Sequence, residues 1–103
     1  MALELKTKKE DGALTVELSG EVNTLTAPEL KELLDENLPE IQTLFLDFAD
    51  CDYVSSAGLR VLLDAFKKMQ AAGNTMTIQN IGPGFSEVLE VTGLDVVFGC
   101  VKE

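Results

Sequence analysis

An α/β fold is what this sequence predicts: one domain with a mixed sheet of about five strands and three or four helices, ordered β-β-α-β-α-β-α-β. Three observations predict it. The chain has 103 residues, the size of one domain, and 46% of them are apolar, enough for a core without metal or disulfide staples. A two-residue turn pair, Asp11-Gly12, separates two stretches of period-2 alternation. Beyond them, strand-like and helix-like patterns alternate, which favours a sheet crossed by helices.

Taken in order, Leu3 and Leu5 alternate with Glu4 and Lys6, and Leu14, Val16 and Leu18 alternate with Thr15, Glu17 and Ser19. The two runs form a hairpin whose first arm is weakly apolar and suits a sheet edge. Gly20 is expected to end the second strand. Thr26-Ala27-Pro28-Glu29 then has the spacing of a capping box, with Leu25 and Leu30 at the hydrophobic-staple positions. Pro28 fits a first helical turn, where its missing N–H costs nothing. Leu30, Leu33, Leu34 and Leu38 supply the buried stripe, and Pro39 stops the helix.

Leu44 to Phe48 is nearly continuously apolar, the pattern of a strand covered on both faces. Ala49 to Val54 reads as a loop. A strongly amphipathic helix follows, with Leu59, Leu62, Leu63, Phe66 and Met69 inward and Arg60, Asp64, Lys67 and Lys68 outward. Gly73 suits its C′ position. Thr75 to Ile78 is the next strand. Gly82-Pro83-Gly84 breaks the chain before a short helix with Phe85, Val88 and Leu89, which ends at Gly93. Val96, Val97 and Phe98 form a last short strand.

Composition narrows function. Eight Lys and Arg stand against 18 Asp and Glu, a net charge of −10. Such a chain repels phosphate backbones and anionic membranes, so nucleic acid is excluded as a partner and a cationic protein suits it. No histidine is present, which removes Ser-His-Asp and Cys-His triads and His-based metal sites. A hydrolase led by Ser56 or Cys51 would lack a base. Cys51 and Cys100 read as free thiols in a reducing cytosol. Glu29, Glu32, Asp35 and Glu36 read as a solvated helix face. The N-terminal residues lack the pattern of a signal peptide, and no uncharged apolar stretch approaches a membrane span, so the expected location is cytoplasmic.

The most informative segment is Tyr53-Val54-Ser55-Ser56-Ala57-Gly58-Leu59. Two serines stand where a loop turns into a helix. Serine is a good N-cap, and that alone accounts for one of them. The same place also suits an anion, because the first N–H groups of a helix are free and its dipole is positive there. A phosphate on Ser55 or Ser56 would be accommodated, with Arg60 one turn beyond Ser56. Gly58 in the first turn costs about 1 kcal/mol against Ala, and is tolerated where something approaches the backbone closely.

On these residues the chain resembles the STAS domains, and among them the small bacterial anti-sigma factor antagonists. The resemblance runs over essentially the whole chain. It is carried by Leu18-Ser19-Gly20-Glu21-Val22-Asn23 with Thr26-Ala27, by Leu44 to Phe48, by Tyr53 to Leu63, and by Val91-Thr92-Gly93-Leu94. It implies a non-enzymatic partner switch without cofactor or metal. The unphosphorylated antagonist binds an anti-sigma factor that is also a serine kinase, and thereby frees a sigma factor. Phosphorylation at the start of the second helix switches binding off, and a serine phosphatase restores it.

Position for position, the resemblance implies Ser56 as the phosphorylated residue, with Ser55 the alternative. It implies a docking surface of Asn23, Thr24, Tyr53, Ser55, Ser56, Ala57, Gly58 and Arg60, on a monomer. The chain departs from the family pattern at Ser55 and Asn23, where an acidic residue is usual. Both changes remove a carboxylate from the implied surface. The alternative implied by the same family is a non-phosphorylated STAS subunit of a transporter-associated, lipid-transport or signalling scaffold complex.

Overall fold

The computed structural model describes residues 3–94. The expected last strand, Val96 to Phe98, and Cys100 lie outside them. Four strands form one sheet in the order β1 (Leu3–Glu10), β2 (Ala13–Val22), β3 (Thr43–Val54) and β4 (Thr75–Gln79). The hairpin strands β1 and β2 are antiparallel, whereas β2, β3 and β4 run parallel. Parallel neighbours need long crossovers. These are α1 (Ala27–Asn37), followed by a 3-10 turn at Leu38–Glu40, and α2 (Ser56–Ala71). A third helix, α3 (Pro83–Thr92), follows β4. None of the described helices is long and apolar enough to cross a membrane.

The hairpin forms as its sequence dictates. Glu10 pairs with Ala13, and Asp11 and Gly12 turn the chain with φ of 49° and 80°. That is the doubly left-handed turn the strand twist favours. Gly20 does not end β2. It sits with φ 106° beside register shifts against β3, and pairing continues to Val22.

The core is built in rows. Leu14, Leu44 and Met76 are in register across three strands, as are Val16, Leu46 and Ile78, and all are buried. They join Leu30 and Leu34 of α1, Leu62, Ala65 and Met69 of α2, and Leu89 of α3 in one cluster. On the opposite face the rows are Thr15, Phe45, Thr77 and Glu17, Asp47, Gln79. Phe45 is half-buried and lies outside the core cluster. The expectation that Leu44 to Phe48 is covered on both faces is therefore corrected. Phe45 alone made the run look continuous, and its neighbours in register are threonines.

A second correction concerns Ala49 to Val54. These residues extend β3 rather than form a loop. Asp and Ala are poor strand formers, but pairing with β2 holds them, through Ser19↔Asp50 to Val22↔Val54. Pairing with β4 stops at Asp47, so among the described residues the last part of β3 has no partner strand on that side. The extension carries Tyr53 and Val54 to the start of α2.

The C-terminus of α2 closes as expected. After α2, Gly73 N donates to Gln70 O at 3.0 Å and Asn74 N to Met69 O at 2.8 Å, a Schellman motif. Lys68 reaches from α2 to Asp35 of α1 at 2.9 Å, and Lys31 holds the other Asp35 oxygen at 2.6 Å. Lys31 and Lys68 keep the Asp35 carboxyl below its usual range, and this exposed network lies along the outer seam between the two helices.

Candidate functional site

The parallel ends of β2 and β3 release the chain side by side, since Val22 and Val54 are paired. Each leads into a helix N-terminus, so the β2–α1 loop and the start of α2 meet. Ser55 N donates to Val22 O at 2.8 Å and ties the two together.

The two serines are separated by their roles. Ser55 is the N-cap of α2: its backbone is extended and its Oγ accepts from Gly58 N at 3.3 Å. It is half-buried. Ser56 is the first helical residue and is exposed. Among the described residues the Ser56 hydroxyl has no hydrogen-bond partner.

Gly58 is buried, and a Cβ placed on it would lie 2.7 Å from Val22 Cγ1 and 2.9 Å from Val54 Cγ1. The close approach that its sequence position predicts is therefore to β2 and β3. Of the surface set expected from the sequence, Gly58 is the member that the structure withdraws from solvent. Ala57 is half-buried, while Thr24, Tyr53 and Arg60 are exposed and Asn23 is partly so.

A cleft of about 570 Å³ opens between the two helix starts. Thr24, Pro28 and Lys31 form one wall; Ser56, Arg60 and Asp64 form the other. Arg60 makes no ion pair among the described residues, whereas Lys31 is held by Asp35 and Asp64 lies 3.2 Å from Lys68. Ser56 and Arg60 are four residues apart on one helix face, within side-chain reach. Sequence reading found that i, i+4 pair but missed Pro28, Lys31 and Asp64. Their spacing is ordinary for solvated helix faces, and only the crossing of α1 over α2 brings them to the cleft.

The start of α1 departs from expectation. Thr26 is buried, and its side chain makes no cap hydrogen bond to the helix. Its Oγ1 instead donates to Glu21 O at 2.7 Å and accepts from Asn23 N at 2.8 Å. The capping role passes to Asn23, whose Oδ1 accepts from Leu25 N at 2.9 Å and Thr26 N at 3.1 Å. Neither the capping box nor the Leu25–Leu30 staple forms. Leu30 is fully buried and Leu25 is 85% exposed.

Cys51 is half-buried on β3. Burial first, then the Asp52 and Glu21 carboxylates, push its thiol up, so little reactive thiolate forms at neutral pH. Among the described residues no group of His, Cys, Asp and Glu is placed to hold a metal ion.

Comparison with known proteins places this geometry. The STAS domain family matches residues 4–102. The chain belongs to the STAS domain family. This STAS domain is 26% identical over 94 residues to the anti-sigma-B factor antagonist of Bacillus subtilis, covering 91% of this chain and 86% of that protein. It superposes with a TM-score of 0.87 on an anti-sigma factor antagonist from Mycobacterium paratuberculosis, at 24% identity, over 96% of this chain and 85% of that one. It also superposes on the phosphorylated form of the Bacillus cell fate determinant SpoIIAA, with a TM-score of 0.77 at 15% identity, over 99% and 91% of the two chains. At these identities the two structural likenesses establish a shared fold.

Proposed function

We propose that this STAS domain is a cytoplasmic anti-sigma factor antagonist whose binding surface surrounds the start of α2 and whose switch is Ser56. Unmodified, it docks onto an anti-sigma factor that is also a serine kinase, and a sigma factor is released. Modified, it lets go, and a serine phosphatase resets it. The observation that carries the choice of residue is the division of labour between the serines. Ser55 uses its hydroxyl to cap Gly58 N, while the hydroxyl of Ser56 is exposed and unpartnered among the described residues.

The physics of the switch follows from that position. The phosphoryl group passes from ATP on the kinase to Ser56 Oγ, ADP leaves, and the hydroxyl proton goes to a base of the kinase. The new group carries roughly −1.5 to −2 charges. At a helix N-terminus that charge is favoured locally, and Arg60 can reach it from one turn on. The domain therefore keeps its fold. A partner seated on Ser56 must strip water from the dianion, which is costly without a matching cation. The readout is loss of binding rather than unfolding.

The test is to incubate the purified domain with each anti-sigma factor kinase of its host and Mg-ATP, then map the phosphate by mass spectrometry. A single phosphate at Ser56 is expected, absent from Ser56→Ala and retained in Ser55→Ala. Phosphate on Ser55, or on neither serine, contradicts the assignment; the second result returns the domain to the role of a non-phosphorylated subunit of another complex.

A further inference from the structure

We infer that Leu25 is the apolar anchor of this docking surface, the residue that selects which anti-sigma factor the domain takes. The inference rests on the reading above and adds a specificity determinant to it. Leu25 is 85% exposed, yet the loop that carries it is fixed. Asn23 Oδ1 holds Leu25 N and Thr26 N, Thr26 Oγ1 holds Glu21 O, and Ala27 N donates to Asn23 O at 2.8 Å. An apolar side chain held outward on a rigid turn loses little further freedom on binding, which is the condition for a strong contact. A lone exposed leucine is ordinary on a surface. This one follows Thr24, which lines the cleft opposite Ser56, and so sits at the edge of the switch.

The chemistry of the partner follows from the surroundings. Glu21 Oε1 accepts from Asn23 Nδ2 at 3.4 Å, so one carboxylate lies on the residue that holds Leu25 N, and Asp50 and Asp52 near the end of β3 are exposed. The matching surface is an apolar socket with a Lys- or Arg-bearing rim.

The experiment titrates each purified anti-sigma factor of the host with wild type, Leu25→Ser, Leu25→Met and Ser56→Asp, after thermal denaturation has shown that all four are folded. The expected result is a loss of about thirtyfold or more in affinity for Leu25→Ser, the size of an interface hot spot, with Leu25→Met close to wild type. If Ser56→Asp weakens binding and Leu25→Ser does not, the anchor is overturned and the switch stands. If no anti-sigma factor binds wild type, the antagonist reading itself fails and the anchor with it. If wild type sediments as a dimer that Leu25→Ser dissociates, the socket belongs to a second copy of this chain, and the inference is overturned.

Discussion

Replacing Phe48 by Ala is expected to cost about 3–5 kcal/mol, the range for truncating a buried aromatic side chain. Phe48 is 1% exposed, and its ring meets Phe85 of α3 at 5.0 Å and 53°. That tilted geometry adds about 0.5–1.5 kcal/mol beyond the area buried. The loss is a large fraction of a domain stability of about 5–15 kcal/mol. Because α3 is attached through Phe85, Ser86 and Leu89, its amides should lose hydrogen-exchange protection before those of α2. Urea unfolding measures the total. A cost under about 1 kcal/mol, the scale of an ordinary surface change, would show that α3 is not latched through this ring.

Gly58→Val is expected to be the next most damaging change, by about 3 kcal/mol, the upper part of the overpacking range. Added carbons would enter the space already held by the Val22 and Val54 methyl groups. The start of α2 must then lift from the sheet, which strains the Ser55 N to Val22 O hydrogen bond. Gly58→Ala meets the same methyl groups, but regains about 1 kcal/mol of helix propensity. Alanine should therefore be the milder variant in thermal unfolding. Equal melting temperatures for wild type and Gly58→Val would mean that the helix start has room the geometry denies.

Local chemistry was legible in the sequence; contact between distant segments was not. The Asp11-Gly12 turn needs only its own two residues, and it formed as read. The alternation of Leu14, Val16 and Leu18 found the buried face of β2 for the same reason. A serine cap was readable at Ser55-Ser56, though not which serine takes it, and Gly58 was readable as a point of close approach, although the approaching atoms came from β2 and β3. The extension of β3 through Asp50 and Asp52 was hidden, because the pairing that holds it is supplied by a strand some 30 residues earlier. The capping box failed through competition. Thr26 and Glu29 have the right spacing, but Asn23 lies close enough to take the role, which leaves Thr26 free to bond back to Glu21. The same substitution of caps turned Leu25 outward. As for the site, the α2 half could be found from the Ser56–Arg60 spacing, while the α1 half required knowing which face of α1 meets α2.

The most direct test of the Ser56 switch compares the domain with and without a phosphate installed specifically at Ser56. Each form is titrated with the anti-sigma factor that binds the unmodified chain, and each is melted alone. Arg60 offsets at most one of the roughly two phosphate charges, and leaving a buried charge uncompensated costs about 3–5 kcal/mol, so phosphorylation should weaken binding by at least about a hundredfold, while the melting temperature stays the same or rises. Equal affinity of the two forms would contradict the account, and so would a loss of binding that accompanies unfolding of the phosphorylated domain.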